Sequence, residues 1–169
     1  MSTQTHRSRD LALVATFAGL IAALGLVPAV APFGFPVPVT IQSFGIMVTG
    51  AVLGARRGAA AVLLFLALVA LGLPLLSGGR GGLGVFAGPS AGYLIGFPIG
   101  AFLTGWLVYR GGAPYRLWWG LLSVVAGGIV VLYAFGIPLT AWRAGISLRA
   151  AFIGSLFFLL GDSIKAVVA

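Results

Sequence analysis

Two residues in this sequence could do chemistry inside hydrocarbon: Asp162 and Lys165. They stand three apart in the apolar run from Phe157 to Val168, and Asp162 is the only acidic residue after Asp10. On a helix this spacing puts both on one face, where carboxylate and ammonium can meet or grip one polar object together. Ionisable groups at membrane depth are costly and by default mark a function. The plainer alternative is an ion pair that neutralises itself, because a buried pair is weak evidence of anything more.

A second candidate is Gly79-Arg80-Gly81-Gly82-Leu83-Gly84, which fits the dinucleotide pattern G-x-G-x-x-G. That pattern has meaning only between a strand and a helix, and here it joins two apolar segments. Its better use is conformational: glycines let backbone amides converge into a concave nest for anionic or polar groups. Arg80 in the middle adds a planar cation suited to carboxylates. The alternative is a flexible loop with Arg80 in water.

The missing residue types narrow the chemistry. There is no P-loop motif for ATP hydrolysis, no cysteine, and one histidine, His6, in the polar N-terminal segment. A histidine-based protease dyad and most metal hydrolases are thereby removed, so no metal and no cofactor is expected. One carboxylate within the membrane supplies neither an acid/base pair nor a proton relay. By elimination the chain binds something and does little chemistry. Its site would use Asp162 as acceptor, Lys165 as donor, Arg80 and the glycine amides for an anion, and Tyr93, Trp142 and nearby phenylalanines as apolar walls.

The elements that must position these residues follow from composition. The chain has 169 residues, 60% of them hydrophobic and only 7% charged, with a mean hydropathy of +1.16. Soluble domains carry roughly 25% charged residues, so this is an integral membrane protein forming a single domain, 1–169. At about 20 apolar residues per crossing, five or six spans use up the length. The net charge of +8 comes from dispersed basic residues, which speaks for a topological role and not for nucleic acid.

The N-terminus imitates a signal peptide, but the run Leu11 to Val27 exceeds the usual apolar core of such signals. It reads as a retained first span, about Leu11 to Val30, with Asp10 as N-cap and Pro28 and Pro32 at its end. Phe35-Pro36-Val37-Pro38 then forces extended backbone. Span two, about Val39 to Gly54, is short and carries Thr40, Gln42 and Ser43 near its start, so that end faces protein or ligand. Arg56 and Arg57 turn the chain into span three, about Gly58 to Leu76, and the glycine loop Ser77 to Gly88 follows. Span four runs from about Pro89 to Tyr109 and span five from about Leu117 to Phe135. A loop with Pro138, Trp142 and Arg143 leads to the last segment.

That segment has two readings. Either Arg149 to Ala169 is one span, or Ser147 to Phe158 lies flat and a new helix starts at Gly161 with Asp162 as its cap, which would leave the last span truncated at Ala169. Arginines set the orientation. Arg7, Arg9, Arg56, Arg57, Arg110 and Arg116 fall on one side against Arg80, Arg143 and Arg149 on the other, and the larger set belongs in the cytoplasm. Small residues four apart, Ala15 with Gly19 and Ala18 with Ala22, would let another helix approach closely.

In these residues and their order, the sequence resembles the BioY family, the biotin-specific substrate-binding (S) subunits of energy-coupling-factor vitamin transporters. The resemblance is carried by Phe35 to Gln42, Leu53-Gly54-Ala55-Arg56-Arg57-Gly58, Gly72-Leu73-Pro74, Ser77 to Gly84, Gly88-Pro89-Ser90-Ala91-Gly92-Tyr93-Leu94-Ile95-Gly96-Phe97 and Gly161-Asp162-Ser163-Ile164-Lys165-Ala166. These stretches cover most of the chain in order.

The resemblance implies an all-α, six-helix transmembrane bundle of the S-component type with both termini cytoplasmic, in a bacterial cytoplasmic membrane. It implies capture of biotin at the outer face, with a membrane scaffold (T) subunit and two cytoplasmic ATPase subunits as partners. It assigns substrate binding to Asp162 and Lys165 and extends it to Arg80, Gly82, Tyr93 and Gln42. Ala15 and Gly19 become the scaffold-docking pair. On this reading the two opposite charges are held apart to clasp the ureido ring. The family commonly has proline where this chain has Leu160, and its last helix continues past the lysine. Two readings from other classes use the same residues: a small intramembrane lipid-modifying enzyme with Asp162 as base, and a channel or structural subunit in which the pair only neutralises itself.

Overall fold

Apolar sequence with glycine and proline at its breaks gives a bundle made only of helices and their connections. The structure, a computed structural model, describes residues 2–31, 34–114 and 116–169, with side chains from Arg7 onward. The expectations placed on the His6 side chain and on Pro32 lie outside the described residues. Those residues form six helices: α1 (Ser2–Leu24), α2 (Gln42–Leu53), α3 (Ala55–Ala70), α4 (Ala91–Arg110), α5 (Leu117–Ala144) and α6 (Leu148–Val168). Among them α4, α5 and α6 are each long and apolar enough to cross a membrane.

Backbone amides in hydrocarbon must be satisfied within the segment, which is why the apolar runs close into helices. Large side chains such as Phe152, Leu156, Phe157, Leu160 and Val167 stand exposed along α6. An apolar surface of that extent is stable only where lipid is the solvent.

Tight packing comes from small residues. A Cβ on Gly50 of α2 would stand 2.5 Å from the Ala101 carbonyl of α4, and Gly105 of α4 packs onto the Gly54–Ala55 turn. Gly54 takes φ 77° there, turning α2 directly into α3. The core joins Ile21, Ile46, Val62, Phe65 and Val69 to Leu94, Phe97, Leu132 and Phe158.

Several element boundaries differ from the sequence reading. Asp10 does not cap α1, because the helix begins eight residues earlier at Ser2; its carboxylate pairs with Arg57 at 3.1 Å. Span three ends at Ala70, since Leu71 to Leu76 turn back through Gly72 at φ 104°. Pro89 precedes α4 and gives its carbonyl to Thr140 Oγ1 at 2.8 Å.

The largest correction is in α5. The stretch read as a loop around Pro138, Trp142 and Arg143 is its last three turns, and Gly145 at φ 66° ends it. Proline is tolerated inside membrane helices because neighbours take up the freed carbonyl. A π-helical turn over Ala126–Val131 interrupts α5 midway. Finally, α6 is continuous, so Asp162 lies inside a helix and caps nothing.

Candidate functional site

Helix α2 has only 12 residues, about 18 Å at 1.5 Å per residue, too little for a hydrocarbon core of about 30 Å. The remaining depth is filled by the connections at its N-terminal end. Val30 and Val39 exchange backbone hydrogen bonds of 3.1 and 2.7 Å and close the proline loop. Phe35 from that loop packs edge-on to Phe158 of α6, with ring centroids 5.4 Å apart.

Between these connections and helices α4, α5 and α6 lies a cavity of about 60 Å³. Leu76, Leu94, Phe97, Leu132 and Phe158 make its walls apolar.

The polar cluster sits on one side of the cavity. Lys165 Nζ donates to Asp162 Oδ1 at 2.8 Å, to the Thr40 carbonyl at 2.7 Å and to Ser43 Oγ at 3.0 Å. Asp162 Oδ1 also accepts from Ser43 Oγ at 2.9 Å, and Oδ2 accepts from Tyr133 Oη at 2.9 Å. Asp162 is only 5% exposed. The expectation that the two charges are held apart is therefore corrected: they are bonded to each other, because one turn of helix brings them together and Thr40 and Ser43 complete the lysine's three donors.

Arg80 lies in a second polar corner, its Nε donating to the Ser77 carbonyl at 3.2 Å and its Nη1 reaching Ser90 Oγ at 3.5 Å. Tyr93 lines the cavity and its hydroxyl meets Ser155 Oγ at 3.2 Å. Gln42 borders the same space, yet its amide is fully committed. Nε2 donates to the carbonyls of Ile21 and Leu75, at 3.1 and 2.9 Å, while Oε1 accepts from Ser77 N at 3.1 Å and Ser77 Oγ at 3.3 Å. It clamps the end of α1 to the connection after α3 instead of offering a free valence.

Gly82 is not brought to the cavity. Its N–H is spent on the Val69 carbonyl at 2.8 Å, and the Arg80 N–H on Leu76 at 3.2 Å, so these amides of the glycine loop hold the loop and not an anion. Trp142 is 70% exposed with Arg143 stacked on its ring at 4.5 Å, and it is not a wall of the cavity. Ala15 and Gly19 lie on the outward face of α1, with open space beyond Gly19. Ala18 faces inward and belongs to the core.

Ser43 and Tyr133 are the polar side chains that the sequence reading did not assign. The signal for Tyr133 was a lone hydroxyl in the middle of an apolar run, where a buried phenol needs a partner. For Ser43 it was the polar cluster opening a short span.

Fold and cavity together define a multi-pass helical membrane protein with a small, largely apolar internal cavity that holds a buried polar cluster. The BioY family profile matches residues 1–169, and the chain belongs to that family. It is 54% identical over 168 residues to a biotin transporter BioY of Rhizobium etli, covering 96% of this chain and 89% of the relative. A biotin transporter BioY of Rhodobacter capsulatus is 51% identical over 171 residues, covering 95% and 88%. A crystal structure of the S-component for biotin from an ECF-type ABC transporter superposes with a TM-score of 0.94 at 32% identity, covering 99% of this chain and 90% of that one. The relatives are transporters and a transporter component, not enzymes, which sets aside the lipid-modifying reading.

Proposed function

We propose that this chain is the biotin-capturing S subunit of an energy-coupling-factor transporter, with Asp162 and Lys165 as the residues that hold the ureido ring. The observation that carries the reading is the buried Asp162–Lys165–Ser43–Tyr133 cluster in an otherwise apolar chamber. A ureido ring presents two N–H donors and one strong carbonyl acceptor, rigidly spaced. A carboxylate has about four acceptor positions, of which three are used here, so Asp162 Oδ2 retains one for a ring N–H.

Lys165 has no spare donor, so the ring carbonyl gains one by exchange. Ser43 is the natural group to yield: its single proton already has two acceptors, Asp162 Oδ1 at 2.9 Å and the Thr40 carbonyl at 3.3 Å. Tyr133 positions the carboxylate. Arg80, with its fork of donors, receives the ligand's carboxylate, and Tyr93 and Phe158 pack against the fused rings.

In this reading the single domain crosses a bacterial cytoplasmic membrane six times with both termini inside, and the chamber opens outward. A scaffold subunit docks on the α1 face of Ala15 and Gly19, and two ATPase subunits supply energy from the cytoplasm. Equilibrium binding of biotin to the purified chain tests it. The wild type binds, while Asp162→Asn and Lys165→Ala each lose about 2 kcal/mol or more, roughly thirtyfold. Equal affinity in all three proteins would reject the site, and no binding by the wild type would reject the function.

A further inference from the structure

A second cleft, of about 550 Å³, lies where α4 meets the α2–α3 turn, and it shares no lining residue with the biotin chamber. Arg56, Arg57 and Arg110 line it together with Trp106 and Tyr109. Its floor is firmly built: Gly105 packs directly on Gly54 and Ala55, and Tyr109 Oη donates to the Val52 carbonyl at 2.8 Å. The Arg110 guanidinium lies over the Trp106 ring, 4.8 Å from its centre.

Charge is in excess here. The whole sequence holds two acidic side chains; Asp10 pairs with Arg57 at 3.1 Å, and Asp162 is bonded to Lys165. No side-chain carboxylate is left to neutralise Arg56 or Arg110. A purely topological role would require only that these arginines lie on one side of the membrane. Their convergence around one aromatic-lined cleft goes beyond that.

The surface leading to the cleft identifies the occupant. Ile95, Ile99, Phe102 and Trp106 are all exposed, at spacings of four, three and four, so they form one apolar stripe along α4 that ends at Arg110. A free anion would use the guanidiniums and ignore this stripe, whereas an amphiphile uses both. We propose that the cleft seats the phosphate of an anionic phospholipid between Arg56 and Arg110, with the acyl chains along Ile95, Ile99 and Phe102. Arginine forks match phosphate oxygens geometrically, and basic pockets between membrane helices are suited to anionic headgroups.

Native mass spectrometry of the full chain, released from nanodiscs containing equal phosphatidylglycerol and phosphatidylcholine, tests this. The wild type retains phosphatidylglycerol, and the double variant Arg56→Gln/Arg110→Gln retains about thirtyfold less, at roughly fivefold per arginine. Arg116→Gln, which removes a charge outside the cleft, keeps the wild-type preference. Thermal unfolding and biotin binding of the double variant report its folding separately from lipid retention. Excess inorganic phosphate leaves the lipid bound. Retention unchanged in the double variant, an equal loss in Arg116→Gln, or displacement by inorganic phosphate overturns the proposal. So does a cleft that binds phosphatidylglycerol only when a scaffold subunit is present, which would make it a protein-docking surface.

Discussion

Asp162 and Lys165 were legible as a pair because ionisable residues in an apolar run stand out against everything around them. Their pairing with Ser43 and Tyr133 was not legible: those residues come from segments 119 and 29 residues away, and a polar residue in an apolar run signals a need for a partner without naming which one. Gln42 is a different case: a polar residue at the mouth of a short span invites a binding role, and in the structure it lines the cavity while its four valences go to backbone and Ser77. Arg80 carries the sharpest residue-scale prediction. Arg80→Gln lowers affinity for biotin by about 1.5 kcal/mol or more, roughly tenfold, as expected for a hydrogen bond to a charged group. It leaves the affinity for biotin methyl ester nearly unchanged. Isothermal titration with both ligands checks this, and an equal loss for both would assign Arg80 to holding the loop through Ser77 and Ser90.

At the scale of the element, the decisive features are the short α2 and the π-helical turn of α5. That span two is short was readable in its bounds, about Val39 to Gly54, although the helix itself starts only at Gln42 and ends at Leu53. The continuation of α5 through Pro138 was not, because proline marks a break in water and much less so among packed membrane helices. The π-helical turn over Ala126–Val131 adds a residue to the helix just before Leu132 and Tyr133, both of which line the chamber, as such insertions often do near functional sites.

Its glycines have a separate structural task. A Cβ on Gly127 would run into Thr104 Oγ1 and the Gly100 carbonyl of α4. Gly127→Val therefore costs about 1 to 3 kcal/mol as an overpacked contact, read as a fall of several degrees in the thermal midpoint in detergent. Gly161→Ala is the comparison: nothing lies within 4 Å of its Cβ position, and the midpoint holds or rises slightly.

The whole molecule gathers its basic turns at one end: Asp10 on α1 meets Arg57 on α3, and Arg56, Arg57 and Arg110 border one cleft. The sequence count of arginines anticipated this grouping, since it depends on loop charge and not on packing. The count also gives an orientation that can be measured directly, because the chain has no cysteine. In intact cells an impermeant maleimide labels Leu83→Cys in the glycine loop, whereas Ala113→Cys in the loop after α4 reacts only after lysis. The reverse pattern would invert the topology and place the chamber on the cytoplasmic side.

In the proposed reading, capture by the whole chain rests on one local event, the admission of a ureido ring into the hydrogen bonds around Asp162. A crystal structure of the chain with biotin is the most direct measurement. It is expected to show a ring N–H donating to the Asp162 carboxylate and the ring carbonyl accepting from Lys165, each at about 3 Å, with Ser43 turned to the Thr40 carbonyl. Biotin bound elsewhere, with the 2.8 Å contact between Lys165 and Asp162 and its Ser43 and Tyr133 partners all intact, would contradict it.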